Sequence, residues 1–211
     1  MSTSSFVLAT ANPDKARELR AILGEAMGRD VRLLGRPAEV PEVDETGSTL
    51  EENARLKAVA LVEATGIAAI ADDTGLEVAA LGGAPGVYSS RYAGEQATYA
   101  DNVAKLLAEL GGSTDRRARF TTVALARFPD GSEVVATGIV DGEIALSAVG
   151  ASGFGYDPVF VPTEGDGRTF AEMSPEEKHV LSHRGRAFRA LAELLAAGLP
   201  APAAGPGRPA P

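Results

Sequence analysis

Two adjacent carboxylates, Asp72 and Asp73, follow the apolar run 67–71 and precede Thr74 and Gly75. Paired acids at the end of a buried run are costly unless hydrogen-bonded or metal-bound. Neighbouring strand residues point to opposite faces, so the two acids should divide their work. One would face a cleft as metal ligand or general base. The other would accept backbone N–H groups in the turn that holds the first. Such a carboxylate can take the proton of an attacking water or share Mg²⁺ with a phosphate.

Other segments supply complementary chemistry. EVDETG carries Glu42, Asp44 and Glu45; a solvated acidic loop is the plainer reading, and a second Mg²⁺ carboxylate the functional one. TANPDK (10–15) offers Asn12 as a helix cap, Pro13 at the first helical position, and Lys15 beside amide groups that favour an anion. The spacing is not that of a Walker loop. Lys57 interrupts an apolar helical stretch, either as an exposed position or as a phosphate contact. GFGYDP (153–158) combines glycines for close backbone approach with Phe154, able to stack on a planar ring, and Asp157, able to hold a polar group; a tight turn is the plainer alternative. SHRGRA brings His183 and Arg184 together, with Lys178 one helical turn before Ser182.

Bulk properties limit what these groups act on. The formal net charge is −9, which argues against a phosphate-backbone binder and leaves room for one small polyanion held locally. No cysteine is present, which excludes thiolate chemistry and suits a reducing compartment such as the cytoplasm. No apolar run approaches ~20 residues, so no membrane helix is expected, and MSTSSFVLAT does not read as a signal peptide.

The elements that must position these residues are legible from periodicity. SFVLA (5–9) reads as a strand, followed by a helix from Pro13 with Leu19, Ile22 and Leu23 on one face, and by a strand at 31–35. A polar loop spans 36–49. Ser48 and Glu51 form an expected capping box for a helix over 49–64. A strand over 67–71, a loop, and a helix carrying Val103, Leu106, Leu107 and Leu110 come next. RARFTTVALARF, EVVATGIV and EIALS read as an antiparallel meander with turns at PDG and DG. Ser174 and Ser182 start two helical segments. The Pro-rich end, 199–211, has no core-forming pattern and is expected to be disordered. Early strand–helix units and later antiparallel strands imply an α/β fold with a mixed sheet.

Taken together, VLATANPDKARELRAIL, DETGSTLEENARLKA, ADDTGLEVAALGGAPGVYSSRYAG, ARF, GFGYDPVF and EEKHVLSHRGRA resemble the inosine/xanthosine triphosphate pyrophosphatase family, from residue 7 to about 195. One departure is Ala11, where that family usually has Gly. The resemblance implies a single domain over 1–198, elongated and two-lobed, with a twisted mixed β-sheet flanked by helices and a substrate cleft between the lobes. It implies a Mg²⁺-dependent homodimer that hydrolyses ITP, dITP and XTP between the α- and β-phosphates, releasing monophosphate and pyrophosphate. On this resemblance Asp73 is base and metal ligand and Glu45 the second metal ligand. Thr10, Ala11, Asn12, Pro13, Asp14, Lys15, Lys57 and Lys178 fall on triphosphate contacts. Thr74 falls on a substrate contact beside the base. Phe154, Gly155, Tyr156 and Asp157, with His183 and Arg184, fall on the nucleobase pocket. Donors such as Arg184 would satisfy a 6-oxo group and face adenine's 6-amino group unfavourably. A pyrophosphatase for modified pyrimidine nucleotides and a non-catalytic nucleotide sensor are the competing readings.

Overall fold

The structure is a computed structural model that describes residues 4–27 and 31–198. The Pro-rich segment 199–211 lies outside the described residues. One seven-stranded mixed sheet organises the chain. Strand β1 (Ser4–Leu8) lies parallel to β2 (Val31–Leu34) and to β3 (Ala68–Val78). From β3 onward the sheet is antiparallel: β4 (Pro85–Gly86) and β5 (Arg117–Arg127) pair with β3, β6 (Glu133–Ile144) with β5, and β7 (Phe160–Pro162) with β6.

Alternation along these strands sorts the core into layers. Ile70, Ala124 and Ala126 point to the face covered by helix α1 (Pro13–Met27) and helix α5 (His183–Gly198), with Leu19, Leu23, Phe188 and Leu191 between. Ala69, Ala71, Val123 and Leu125 point to the other face, against Ala54, Ala58 and Leu61 of α2 (Leu50–Thr65). Beyond Asp73 a third cluster takes over. Leu76, Val78, Phe120 and Val140 pack there with Leu106 and Leu110 of α3 (Tyr99–Leu110) and with Phe160 and Phe170. The acidic pair therefore sits where one core gives way to the next along a shared strand. The short helix α4 (Pro175–Leu181) leads directly into α5, with Ser182 at the junction as expected.

Three local expectations are corrected. The strand expected to end at residue 71 continues to Val78, because Thr74–Val78 stay in register with Thr122–Ala118 of β5. Gly75 is accommodated there by close approach: a Cβ would lie 2.9 Å from the Gly86 carbonyl oxygen. The capping box of α2 is Thr49 with Glu52, one residue later than Ser48 with Glu51; Ser48 donates its hydroxyl to Glu52 instead. The expected turn at Asp141-Gly142 is continuous strand. Gly142 is needed because β7 crosses closely, a Cβ lying 2.4 Å from the Val161 carbonyl oxygen, and Asp141 pairs with Arg119 on β5.

Candidate active site

Asp72 and Asp73 are both buried, at 3% and 5% exposure, and point to opposite faces of β3. On the α2 face, Lys57 Nζ lies 3.0 Å from Asp73 Oδ1 and 3.0 Å from Glu45 Oε1, bridging the two carboxylates. Burial raises the Asp73 carboxyl above its usual range, and Lys57 only partly opposes it. The Glu45 carboxyl, also resisted by burial, is held below its usual range by Lys57, Lys15 and Arg91. Burial likewise opposes the Lys57 charge, yet the three carboxylates around it keep its pKa raised.

Asn53, wholly buried, orients this pair. Its Oδ1 accepts the Gly47 N–H (2.8 Å), an obligate donor, so its Nδ2 must face Asp73 Oδ2 (3.2 Å). The loop carrying Glu45 is thereby tied to the strand carrying Asp73. Arg91 adds a second tie, reaching the Glu45 carboxylate (3.2 Å) and its carbonyl oxygen (3.1 Å).

On the α1/α5 face, Asp72 accepts from Arg184 Nε (3.3 Å), and Arg184 Nη1 donates to Glu18 (2.7 Å). The expected role of Asp72 in a turn is corrected: no turn exists there, and Asp72 instead anchors a buried guanidinium from α5. Burial opposes the charges of Asp72 and Glu18, but the surrounding Lys15, Arg184 and Lys178 hold both carboxyls below their usual range. Glu18 Oε1 is buried without a hydrogen bond, 3.5 Å from Lys178.

The strand–helix connection supplies the anion-binding end. Asn12 Oδ1 accepts the N–H groups of Asp14 (2.9 Å) and Lys15 (3.3 Å), capping α1, with Pro13 first in the helix. Thr10 Oγ1 accepts the Asn12 N–H (3.2 Å). Ala11 is exposed and has no positive φ, so its methyl group is free of strain. Thr10, Asn12, Lys15, Glu45, Lys57 and Asp72 line a cavity of about 390 Å³. Burial lowers the Lys15 pKa against the pull of Asp72. Asp14 turns to Arg17 (3.1 Å) instead, outside this cavity.

A second cavity of about 300 Å³ lies across the first turns of α1, lined by Glu18, Gly153, Phe154, Lys178 and His179 among others. Lys178 Nζ (4.8 Å) and the Arg184 guanidinium (5.3 Å) lie over the Phe154 ring. Tyr99 lies 5.9 Å from the same ring and accepts a bond from Asn12 Nδ2 (2.5 Å). Asp157 accepts the Phe154 N–H (2.8 Å) and Lys178 Nζ (2.7 Å), so it shapes the GFGYDP loop and holds a lysine. Gly153, at φ 74°, has no room for a Cβ beside Asp157, and Gly155 turns the loop at φ 63°. The Tyr156 side chain is not brought to the cavity. It is 5% exposed in the core, donating its hydroxyl to the Ser89 carbonyl oxygen (2.9 Å). Thr74 accepts from Arg184 Nη2 (3.2 Å), and His183 Nδ1 lies 2.6 Å from Thr122 Oγ1.

Glu18, Asn53, Arg91, Tyr99 and Thr122 are the residues that sequence reasoning missed. Only Asn53 carried a usable signal, a polar residue four before Lys57 on one helix face.

The donor set fits a divalent cation. Two carboxylates from different segments converge on one positive charge, the Lys57 ammonium, and among the described residues no group of three or more metal-binding side chains forms a closed cage. Mg²⁺ uses such sparse carboxylate sites, completing its shell with water and phosphate.

The Ham1 family model matches residues 6–194. The dITP/XTP pyrophosphatase of Streptomyces coelicolor is 48% identical over 90% of this chain and 96% of its own length. That of Desulfotalea psychrophila is 50% identical over 90% of this chain and 83% of its own. Among solved structures, a Ham1 protein from Coxiella burnetii aligns at TM-score 0.83 with 39% identity, covering 92% of this chain and all of that one.

Proposed function

The chain belongs to the Ham1 family, and from that premise we propose that it hydrolyses noncanonical purine nucleoside triphosphates, ITP, dITP and XTP, to monophosphate and pyrophosphate. Its relatives of similar length carry the dITP/XTP pyrophosphatase name. The triphosphate lies in the cavity of Thr10, Asn12, Lys15 and Lys57. Glu45 and Asp73 would hold Mg²⁺, which when bound would supply positive charge to offset that of the phosphates. Asp73, its carboxyl raised by burial, takes the proton of the attacking water. Asn53 and Lys57 fix the carboxylate that does so in place.

The observation that carries the base preference is Glu18 Oε1, a buried acceptor without a hydrogen bond beside the Lys178 and Arg184 donors and the Phe154 ring. A 6-oxopurine presents an acceptor at O6 and a donor at N1. Adenine presents the reverse, a donor at N6 and an acceptor at N1. A mismatch leaves buried polar groups unpaired, at ~1–3 kcal/mol each. The homodimer and the cytoplasmic setting belong to the same proposal, the latter supported by the absence of cysteine.

Incubating the protein with ITP, XTP, ATP, GTP and pyrimidine analogues plus Mg²⁺ tests this reading. Pyrophosphate is expected from ITP and XTP. No release from either, or equal release from ATP, sinks it, and selective release from the pyrimidine analogues favours the competing enzyme reading.

A further inference from the structure

Asn102 sits on the buried side of α3 beside Val103 and Leu106, at 2% exposure. An amide among apolar neighbours is costly unless both its ends are paired. Both ends of Asn102 bond the backbone of one turn. Its Oδ1 accepts the Ala93 N–H (2.7 Å), an obligate donor, so its Nδ2 must face the other way, to the Ser90 carbonyl oxygen (3.0 Å). The two bonds straddle Arg91.

The rest of that turn is fixed as well. The Arg91 N–H donates to the Tyr88 carbonyl oxygen (3.0 Å), and the Arg91 carbonyl oxygen accepts the Gly94 N–H (3.0 Å). Tyr156 donates its hydroxyl to the Ser89 carbonyl oxygen (2.9 Å), and Lys105, also on α3, donates to that of Tyr92 (2.7 Å). Asn102 alone among these side chains holds the turn on both sides of Arg91. Asn102 does not line the phosphate cavity, whereas Arg91 does.

Glu45 needs such outside support. It lies in a stretch without regular secondary structure, so no ladder or helix fixes its backbone. Arg91 grips it at two points, the carboxylate (3.2 Å) and the carbonyl oxygen (3.1 Å). A two-point grip demands that the Arg91 backbone stay put, since hydrogen bonds weaken steeply with distance and angle. A clamped backbone also leaves only the side chain to be ordered.

We infer that Asn102 is a positioning residue for Glu45: it clamps the 90–93 turn on both sides and so sets Arg91 where its guanidinium can hold the Glu45 loop. The consequence for turnover rests on the proposed role of Glu45 as a metal ligand. A shift of about 1 Å in such a group costs up to about a hundredfold in rate.

The test follows amide exchange at Gly47 in the full-length, metal-free protein. The Gly47 N–H bonds Asn53 Oδ1 in the same loop as Glu45, and exchange in β5 gauges overall stability. Arg91→Met and Asn102→Ala should each speed Gly47 exchange about tenfold, and the double variant no further than Arg91→Met alone. With ITP and Mg²⁺, kcat should fall about tenfold in each and no further in the double variant. Wild-type exchange at Gly47 in Asn102→Ala overturns the inference. So do effects that multiply in the double variant, the signature of a residue that merely supports α3. Should Asn102→Ala fail to fold, Asn102→Asp keeps the Ala93 bond, loses the Ser90 bond, and decides by the same two readouts. A protein that ignores ITP defeats the substrate reading, while exchange at Gly47 judges the clamp independently.

Discussion

At the scale of single residues, the two acids of ADDTG differ because their neighbours differ. Asp73 faces one ammonium and an amide; Asp72 faces a guanidinium shared with Glu18. Asp73→Asn is expected to lower kcat about a thousandfold. It should not lower the melting temperature, because burial disfavours the Asp73 charge and Lys57 keeps Glu45 as a partner. Arg184→Met should behave oppositely in stability, costing about 3–5 kcal/mol in chemical denaturation, since it strands buried carboxylates. The pH dependence has a definite sign. Asp72 and Glu18 have depressed pKa values, so their contribution is full above the ordinary carboxylate range and is lost as pH falls through the depressed values. Wild type should therefore lose stability below about pH 4, and Arg184→Met should lose less over the same range. The acids were legible in the sequence because charge ending an apolar run is conspicuous. Glu18 was not, because its partner lies 166 positions away and nothing local marks a helical glutamate as buried.

At the scale of elements, the helices and the strands β1, β2 and β5 were legible from apolar spacing, while the end of β3 and the continuity of β6 were not. Gly75 and Gly142 look like breakers in a sequence but serve close approach between backbone segments within a sheet. Only the partner strand distinguishes the two uses, and the partner is not local. Thr122 escaped notice for a related reason: a threonine in a strand is unremarkable until the strand opposite is known. The α5–β6 contact depends on the same kind of glycine. Gly138→Ala would place a methyl group 2.1 Å from the His183 carbonyl oxygen and 2.4 Å from the Ala187 nitrogen. It should cost about 3 kcal/mol in denaturant unfolding, near the upper end for overpacking. Thr49→Ala removes the cap of α2 and should cost about 1 kcal/mol by the same measurement.

At the scale of the whole molecule, an acidic chain must receive a highly charged anion. Four cations, Lys15, Arg36, Lys57 and Arg91, face five carboxylates around the larger cavity, so the site alone does not attract a triphosphate. A divalent cation reverses that balance. Calorimetry with a non-hydrolysable ITP analogue should show binding at least about tenfold weaker in EDTA than in Mg²⁺. Equal affinity in the two buffers would remove the metal from the proposal. The charge imbalance was visible in the composition, but its concentration around one cavity was not.

The alternation of β3 has one more consequence. The strand works as a reading frame: a slip of one residue against β5 would send Asp73 to the α5 side and Asp72 to the α2 side, and would part Thr74 from Thr122. Base, guanidinium anchor and the Thr74–Thr122 pair would then fail together. A misaligned chain has no intermediate grade of activity to offer. Selection on turnover alone therefore also polices how the sheet zips up.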